Sequence, residues 1–170
     1  MKKIYLAGGC FWGIQKYFDN LCGVHDTTVG YANGKTQNPT YKEVCNASGH
    51  AECIQINYDP SALPLSVLLD FFFDCIDPVA INHQGGDRGI QYRTGIYYTD
   101  PTDLPTLQQK LAELQQKHTQ PIAIECLPLQ HFFDAEEYHQ KYLDKNAGGY
   151  CHISKQKFEN AKNYQPKNNQ

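Results

Sequence analysis

The sequence has no Cys-x-x-Cys pair, although it holds seven cysteines, at positions 10, 22, 45, 53, 75, 126 and 151. That absence excludes the ligand spacing of a zinc ribbon and the motif of a thioredoxin-type redox protein. The odd number excludes complete internal disulfide pairing. No apolar run approaches the roughly 18 residues of a transmembrane helix, so no membrane partner is expected. Nor is there an excess of basic charge: 15 Lys and Arg stand against 18 Asp and Glu, a net charge of −3, which leaves no footprint for a nucleic-acid backbone. No repeat occurs at solenoid or propeller periods. Lys2 and Lys3 precede a mildly apolar stretch, but Gly8, Gly9, Cys10 and Gly13 interrupt it and no small-x-small cleavage signal follows. A reducing, cytoplasmic setting is therefore expected, with most cysteines as small buried fillers.

What is present suits one domain. At 170 residues and 41% hydrophobic content, folding should bury roughly 70% of the unfolded chain's surface. Ile4 to Ala7 reads as a buried strand, and Ile14, Tyr17, Phe18 and Leu21 form the stripe of a helix that starts near Cys10. Thr27 to Ala32 is strand-like, and Lys35 to Gly49 is a polar segment. From Ala51 to Tyr58 residues alternate, with Glu52, Ile54, Ile56 and Tyr58 on one face and Cys53, Gln55 and Asn57 on the other, which predicts a strand; Cys53 reads as a small apolar filler like Cys22, Cys45, Cys75 and Cys126, but it lies opposite the apolar face, so burial and exposure both stay open for it. Leu65, Leu68, Leu69, Phe72, Phe73 and Ile76 mark a helix after Pro64. A Gly-rich loop then leads to a strand from about Gln91 to Thr99, with Tyr92 on its face, a helix through Leu104 to Leu114, and a strand over Ile122 to Leu127. Phe133 to Leu143 reads as a short helix and Lys145 to Cys151 as coil. The order β-α-β-β-α-β predicts an α+β two-layer sandwich with a ferredoxin-like core, a mixed, mostly antiparallel sheet and an extended C-terminal coil. Residues 1–152 form a single catalytic domain in this reading, and 153–170 a polar, partly disordered tail.

Two residues stand out chemically. Cys10 follows a strand and a double glycine and opens a helix, where unpaired N–H groups and the helix dipole favour a thiolate. Gly9 and Gly13 would admit a substrate, and Phe11 and Trp12, the only Trp, set two aromatic faces beside the sulfur. A small buried core thiol fits the same pattern. Glu52 is a carboxylate on an apolar strand face; either it pairs with a cation at a sheet edge, or burial raises its pKa and makes it a general acid. Taken alone, Tyr41 and Tyr92 fit partly buried rings with satisfied hydroxyls, and Asp87 fits a turn residue.

Gly9-Cys10-Phe11-Trp12-Gly13 resembles the signature of the A-type peptide methionine sulfoxide reductases. Further ordered matches extend the resemblance from about residue 3 to 152: Gly30-Tyr31-Ala32, Tyr41 with Val44-Cys45, Gly49-His50-Ala51-Glu52, Tyr58-Asp59-Pro60, Gln84-Gly85 with Asp87 and Gly89, Gln91-Tyr92-Arg93, Ala135-Glu136 with Tyr138-His139-Gln140, and Lys145-Asn146 with Gly149-Tyr150-Cys151. The resemblance implies Cys10 as nucleophile, Phe11 and Trp12 as the slot for the S-methyl group, Glu52 as the acid at the sulfoxide oxygen, Tyr41 and Tyr92 as hydroxyl donors to that oxygen, and Asp87 as a further pocket residue. It implies Cys151 as the resolving cysteine, with no metal and no cofactor. The implied activity is reduction of methionine S-sulfoxide, free and in oxidised proteins, through a Cys10 sulfenic acid that Cys151 converts to a disulfide. The implied electron donor is thioredoxin, and a monomer is expected.

Three departures from the family pattern occur. The Asn46-Ala47-Ser48 loop is one residue short, Ile76 replaces a His before Asp-Pro, and Ala147 replaces a Pro after Lys-Asn. Two other readings compete: a thiol hydrolase or acyltransferase in which one of seven histidines activates Cys10, and a zinc or redox-sensing module built on the scattered Cys and His.

Overall fold

In this computed structural model residues 1–167 are described. The elements run β1 (Lys2–Gly8), α1 (Phe11–Asp19), β2 (Val24–Ala32), α2 (Tyr41–Cys45), β3 (Ala51–Tyr58), α3 (Leu65–Asp74), the two-residue strands β4 (His83–Gln84) and β5 (Asp87–Arg88), β6 (Thr94–Tyr98), α4 (Leu104–Gln116), β7 (Glu125–Pro128), β8 (Phe132–Asp134), α5 (Tyr142–Lys145) and α6 (Lys155–Lys162). The chain is α+β. Six strands form one mixed sheet in the order β7-β6-β1-β3-β2-β8, in which only β6 and β7 pair in parallel. β4 and β5 make a separate small hairpin.

Alternation along the strands separates the sheet's two faces. Ile4, Leu6, Ile54, Ile56, Tyr58 and Ile96 pack in one core with residues of α1, α3, α4 and α6, whereas Tyr5, Ala7, Cys53 and Tyr97 lie opposite, against Leu129 and Phe132. Cys53 is buried, as a small filler would be: only 1% of its surface is open, because the 129–132 segment covers this second face of the sheet. Cys22 and Cys45, by contrast, are exposed, not buried fillers.

Four further expectations need correction. Tyr92 ends a short 3-10 turn (Ile90–Tyr92) and lies outside the strand, which begins at Thr94. The predicted helix over Phe133–Leu143 is instead an edge strand on β2, a 3-10 turn (Glu137–His139) and the short α5. Here tertiary pairing overrides local propensity. The Gln140 side chain accepts from the Val29 N–H at 3.0 Å and donates to the Val29 carbonyl at 2.8 Å, extending the edge of β2 with a side chain. Within the polar segment, Thr40 caps α2 by accepting from the Glu43 N–H. Finally, the supposed tail contains α6, capped by Ser154, with Ala161 buried and the Tyr164 hydroxyl donating to the Ala62 carbonyl at 3.0 Å. Only Phe158 and Ala161 mark its inner face, too few apolar positions for a periodic signal. The last three residues of the tail reading lie outside the described residues.

Candidate active site

The site sits where β1 hands over to α1. Gly9 turns the chain at φ +83°, a conformation that favours glycine, and a Cβ there would meet Gln84 Cβ at 2.6 Å. The turn makes Cys10 the N-cap of α1, with no side-chain capping bond. Phe11, Val29, Tyr31, Val44 and Ala135 form a separate apolar cluster at this end of the sheet, with Trp12 and Tyr41 packed on it.

Glu52 is 1% exposed on the helix-facing side of β3, and its Oε1 accepts the Phe11 backbone N–H at 3.2 Å. Its Oε2 is buried without a partner. Burial pushes its pKa up to about 8, with the Phe11 N–H opposing and Asp87 adding to the rise. Near neutral pH this carboxyl is held as an acid.

Cys10 departs from the expected thiolate. At 7% exposure, burial raises its pKa well above the ordinary thiol value, Glu52 and Asp87 raise it further, and the Trp12 backbone N–H lowers it less than these raise it. The helix end is real, but desolvation of the sulfur outweighs it. The resting site thus holds two protons, one on sulfur and one on a carboxyl. Tyr41 and Tyr92 neighbour each other and Glu52, and burial raises both hydroxyls so that they stay protonated donors. Burial also pushes the Asp87 pKa up, with the Tyr150 hydroxyl opposing, and its Oδ2 is buried without a partner. The short loop after α2 does not separate Tyr41 from Glu52. Ala47 turns the loop in the left-handed region, at φ +63°.

Trp12 is fixed on both sides. Its ring stacks on Tyr142 at 3.7 Å, and its Nε1–H donates to His139 Nδ1 at 3.0 Å. His139 is 1% exposed and lies against Phe11 and Tyr41, and burial lowers its pKa so that it remains a neutral acceptor. Glu136 fixes Tyr41 from behind: one oxygen accepts from the Tyr31 hydroxyl at 3.0 Å and the other from the Tyr41 N–H at 3.3 Å. Neither Glu136 nor Tyr142 was singled out from the sequence. The Ala135-Glu136 motif is visible in the sequence, but the helix expected over Phe133–Leu143 is a strand and a 3-10 turn, so helical periodicity could not tell which way its side chains point.

Cys151 is brought to the same helix end. Its Sγ occupies the space that a Cβ on Gly13 would need, 2.6 Å from that position, one turn along α1 from Cys10. The absence of a side chain on Gly13 thus makes room for Cys151 Sγ. A Gly13→Ala variant should fold, since alanine favours helix, but should displace Cys151. If Cys151 is the partner that the family resemblance implies, a Cys10 sulfenic acid should last roughly 10- to 100-fold longer in the variant, measured by trapping with dimedone. An unchanged lifetime would refute this placement. All seven cysteines are free. Among the described residues, no group of three or more His, Cys, Asp or Glu is placed to hold a metal ion, and no helix is long and apolar enough to cross a membrane.

Comparison with known proteins agrees with this geometry. The family profile "Peptide methionine sulfoxide reductase" matches residues 2–170. A "Peptide methionine sulfoxide reductase MsrA" of Lachnoclostridium phytofermentans is 60% identical over 163 residues, 95% of this chain and 98% of that protein. The crystal structure of Mxr1 from Saccharomyces cerevisiae in reduced form aligns with a TM-score of 0.85 at 41% identity, covering 90% of this chain and 91% of the other. Mxr1 in complex with Trx2 aligns with a TM-score of 0.60 at 31% identity, covering 83% and 84%. With a buried thiol and a protonated carboxyl at one helix end, and relatives this similar along nearly their whole length, the chain belongs to the MsrA family of peptide methionine sulfoxide reductases, oxidoreductases that act on oxidised methionine.

Proposed function

We propose that this enzyme reduces methionine S-sulfoxide, free or within oxidised proteins, by attack of Cys10 sulfur on the sulfoxide sulfur. The observation that carries the reading is the Glu52 carboxyl: buried, held as an acid up to about pH 8, bonded to the amide next to Cys10, and with Oε2 unpartnered. A sulfoxide oxygen is a strong acceptor, and Oε2–H is a donor without one. Tyr41 and Tyr92 supply two further hydroxyl donors, and Phe11 with Trp12 offers the apolar slot for the S-methyl group. Asp87 lines the same pocket.

The atoms balance within the site. As Cys10 sulfur bonds to the substrate sulfur, Glu52 protonates the oxygen and takes up the thiol proton; hydroxide transfer to Cys10 sulfur then leaves methionine and a Cys10 sulfenic acid. Cys151 attacks that sulfenic acid, water leaves, and a Cys10–Cys151 disulfide forms. A dithiol protein of the thioredoxin kind reduces it by exchange; the Mxr1 complex with Trx2 supports this choice of partner. Working as a monomer, the chain forms a single catalytic domain in which α6 packs on the body made by residues 1–152, with the coil before Cys151 folded over α1. A reducing, cytoplasmic setting suits exposed free thiols at Cys22 and Cys45. The antiparallel order β6-β1-β3-β2 supports a ferredoxin-like core.

NADPH-linked turnover with thioredoxin and its reductase, run on separated S and R sulfoxides, tests the proposal. The S epimer should be consumed and the R epimer spared; turnover of a thioester or peptide bond without reductant would favour a thiol hydrolase.

A further inference from the structure

His50 is fully buried and has no task in the reaction proposed above. It sits just past the last β2–β3 pair, Ala32 with Ala51, at the neck of the 33–50 loop that carries α2 and Tyr41. Two positions on, in β3, stands Glu52.

Across that neck the imidazole makes two ties. Its Nδ1 accepts from the Gly34 N–H at 3.1 Å, and its Nε2 lies 2.7 Å from the Thr36 carbonyl and 3.2 Å from the Thr36 hydroxyl. An N–H facing Nδ1 requires the ring proton on Nε2, which donates it to that carbonyl. Burial lowers the His50 pKa, the Thr36 carbonyl opposes, and His131 and Arg93 add to the lowering, so the ring stays neutral as an acceptor must. Gly34 is held from its other side too, where His131 Nε2 donates to its carbonyl at 2.8 Å. A Cβ on Gly34 would clash with His50 Cγ, so only glycine lets the ring come this close.

Tyr41 needs such an anchor. Its helix has five residues, well below the roughly 12 at which a helix holds itself together in water. Apart from Pro39 and Val44, no side chain from 35 to 47 is buried. Val44 packs beneath the loop and Glu136 takes the Tyr41 amide, which leaves the angle at which the loop departs from the sheet to be fixed at its neck.

We propose that His50 is a positioning residue for sulfoxide reduction: by tying Gly34 and Thr36 to the strand that carries Glu52, it holds the Tyr41 hydroxyl where it and Glu52 can bond the same oxygen. This rests on the reading of Tyr41 as a donor to the sulfoxide oxygen. His50 exchanges no proton in the cycle and acts only through the loop.

The test is a double-mutant cycle of His50→Phe and Tyr41→Phe, read as single-turnover methionine release at saturating S-sulfoxide without reductant. Phenylalanine keeps a buried ring and makes neither bond. Tyr41→Phe alone should slow the step at least about tenfold, and His50→Phe alone about tenfold, with the half-saturating sulfoxide concentration little changed because the loss falls on the transition state. In the Tyr41→Phe background His50→Phe should cost less than about twofold, since the hydroxyl it would displace is gone. A merely structural histidine would slow both backgrounds by the same factor; that result, or a parent-like rate in His50→Phe, would overturn the proposal and leave the reaction standing. His50→Asn puts an oxygen near the Nδ1 position without reaching Thr36, so it should recover part of the rate, and if His50→Phe does not fold the same cycle with His50→Asn decides by the same criterion. An unchanged rate in Tyr41→Phe alone would remove Tyr41 as a donor and the proposal with it.

Discussion

Cys10→Ser should abolish turnover, with kcat/KM for the S-sulfoxide falling at least about ten-thousand-fold, because a serine oxygen cannot accept the substrate's oxygen as sulfur does. Cys151→Ser should behave differently: about one methionine released per enzyme, then a stop when thioredoxin is the reductant. Rapid-quench counting of methionine per active site separates the two. The asymmetry follows from position. Cys10 shares its helix end with Glu52, whereas Cys151 lies against Gly13 a turn away and, in the proposed cycle, acts only on the oxidised state. Equal multiple turnover in both variants would contradict a two-cysteine cycle.

Glu52→Gln should lower kcat/KM by about 10²- to 10³-fold, the usual range for loss of a general acid, or roughly 3–4 kcal/mol of transition-state stabilisation. Parent activity should fall above about pH 8 as Glu52 ionises; the variant's residual activity should lack that limb. The same substitution should alter stability in the opposite direction. An unfolded chain ionises Glu52 near 4.5, while the folded protein keeps it protonated to about 8. Between these values the folded state holds an extra proton, so stability is highest below the lower value, declines as pH rises, and levels off above the upper one. Glutamine removes this penalty. At pH 9 the variant should be more stable than the parent by an amount on the order of a few kcal/mol, seen as a higher Tm; a lower Tm there would contradict a buried, costly carboxylate.

Glu52 also illustrates what a sequence makes legible. Strict alternation from Ala51 to Tyr58 was enough to set this carboxyl on the apolar face, and the Gly-Gly-Cys run was enough to start α1 at Cys10. Local periodicity carries such information because each strand or helix repeats its own geometry. The proton state of Cys10 was not legible, since it depends on burial by segments more than 40 positions away and on Glu52 itself. The burial of Cys53 is not decided by sequence for a related reason: alternation tells which face a residue takes, not what later covers that face. The 132–145 segment failed because Gln140 and Lys141 bond to Val29 and Gln15, partners that no local rule supplies. The two apolar positions of α6 only became meaningful once its neighbours were known. Tyr41, Tyr92 and Asp87 were named through family resemblance alone, and the structure gathers all three around Glu52.

The central claim is that Cys10 and Cys151 form one bond per catalytic cycle. Intact-mass and peptide mass spectrometry of the reduced protein, after one equivalent of methionine S-sulfoxide and no reductant, tests it directly. The expected result is a loss of roughly 2 Da and a single cross-linked peptide pair joining Cys10 to Cys151. An unchanged mass, or a disulfide that leaves out either cysteine, would contradict it.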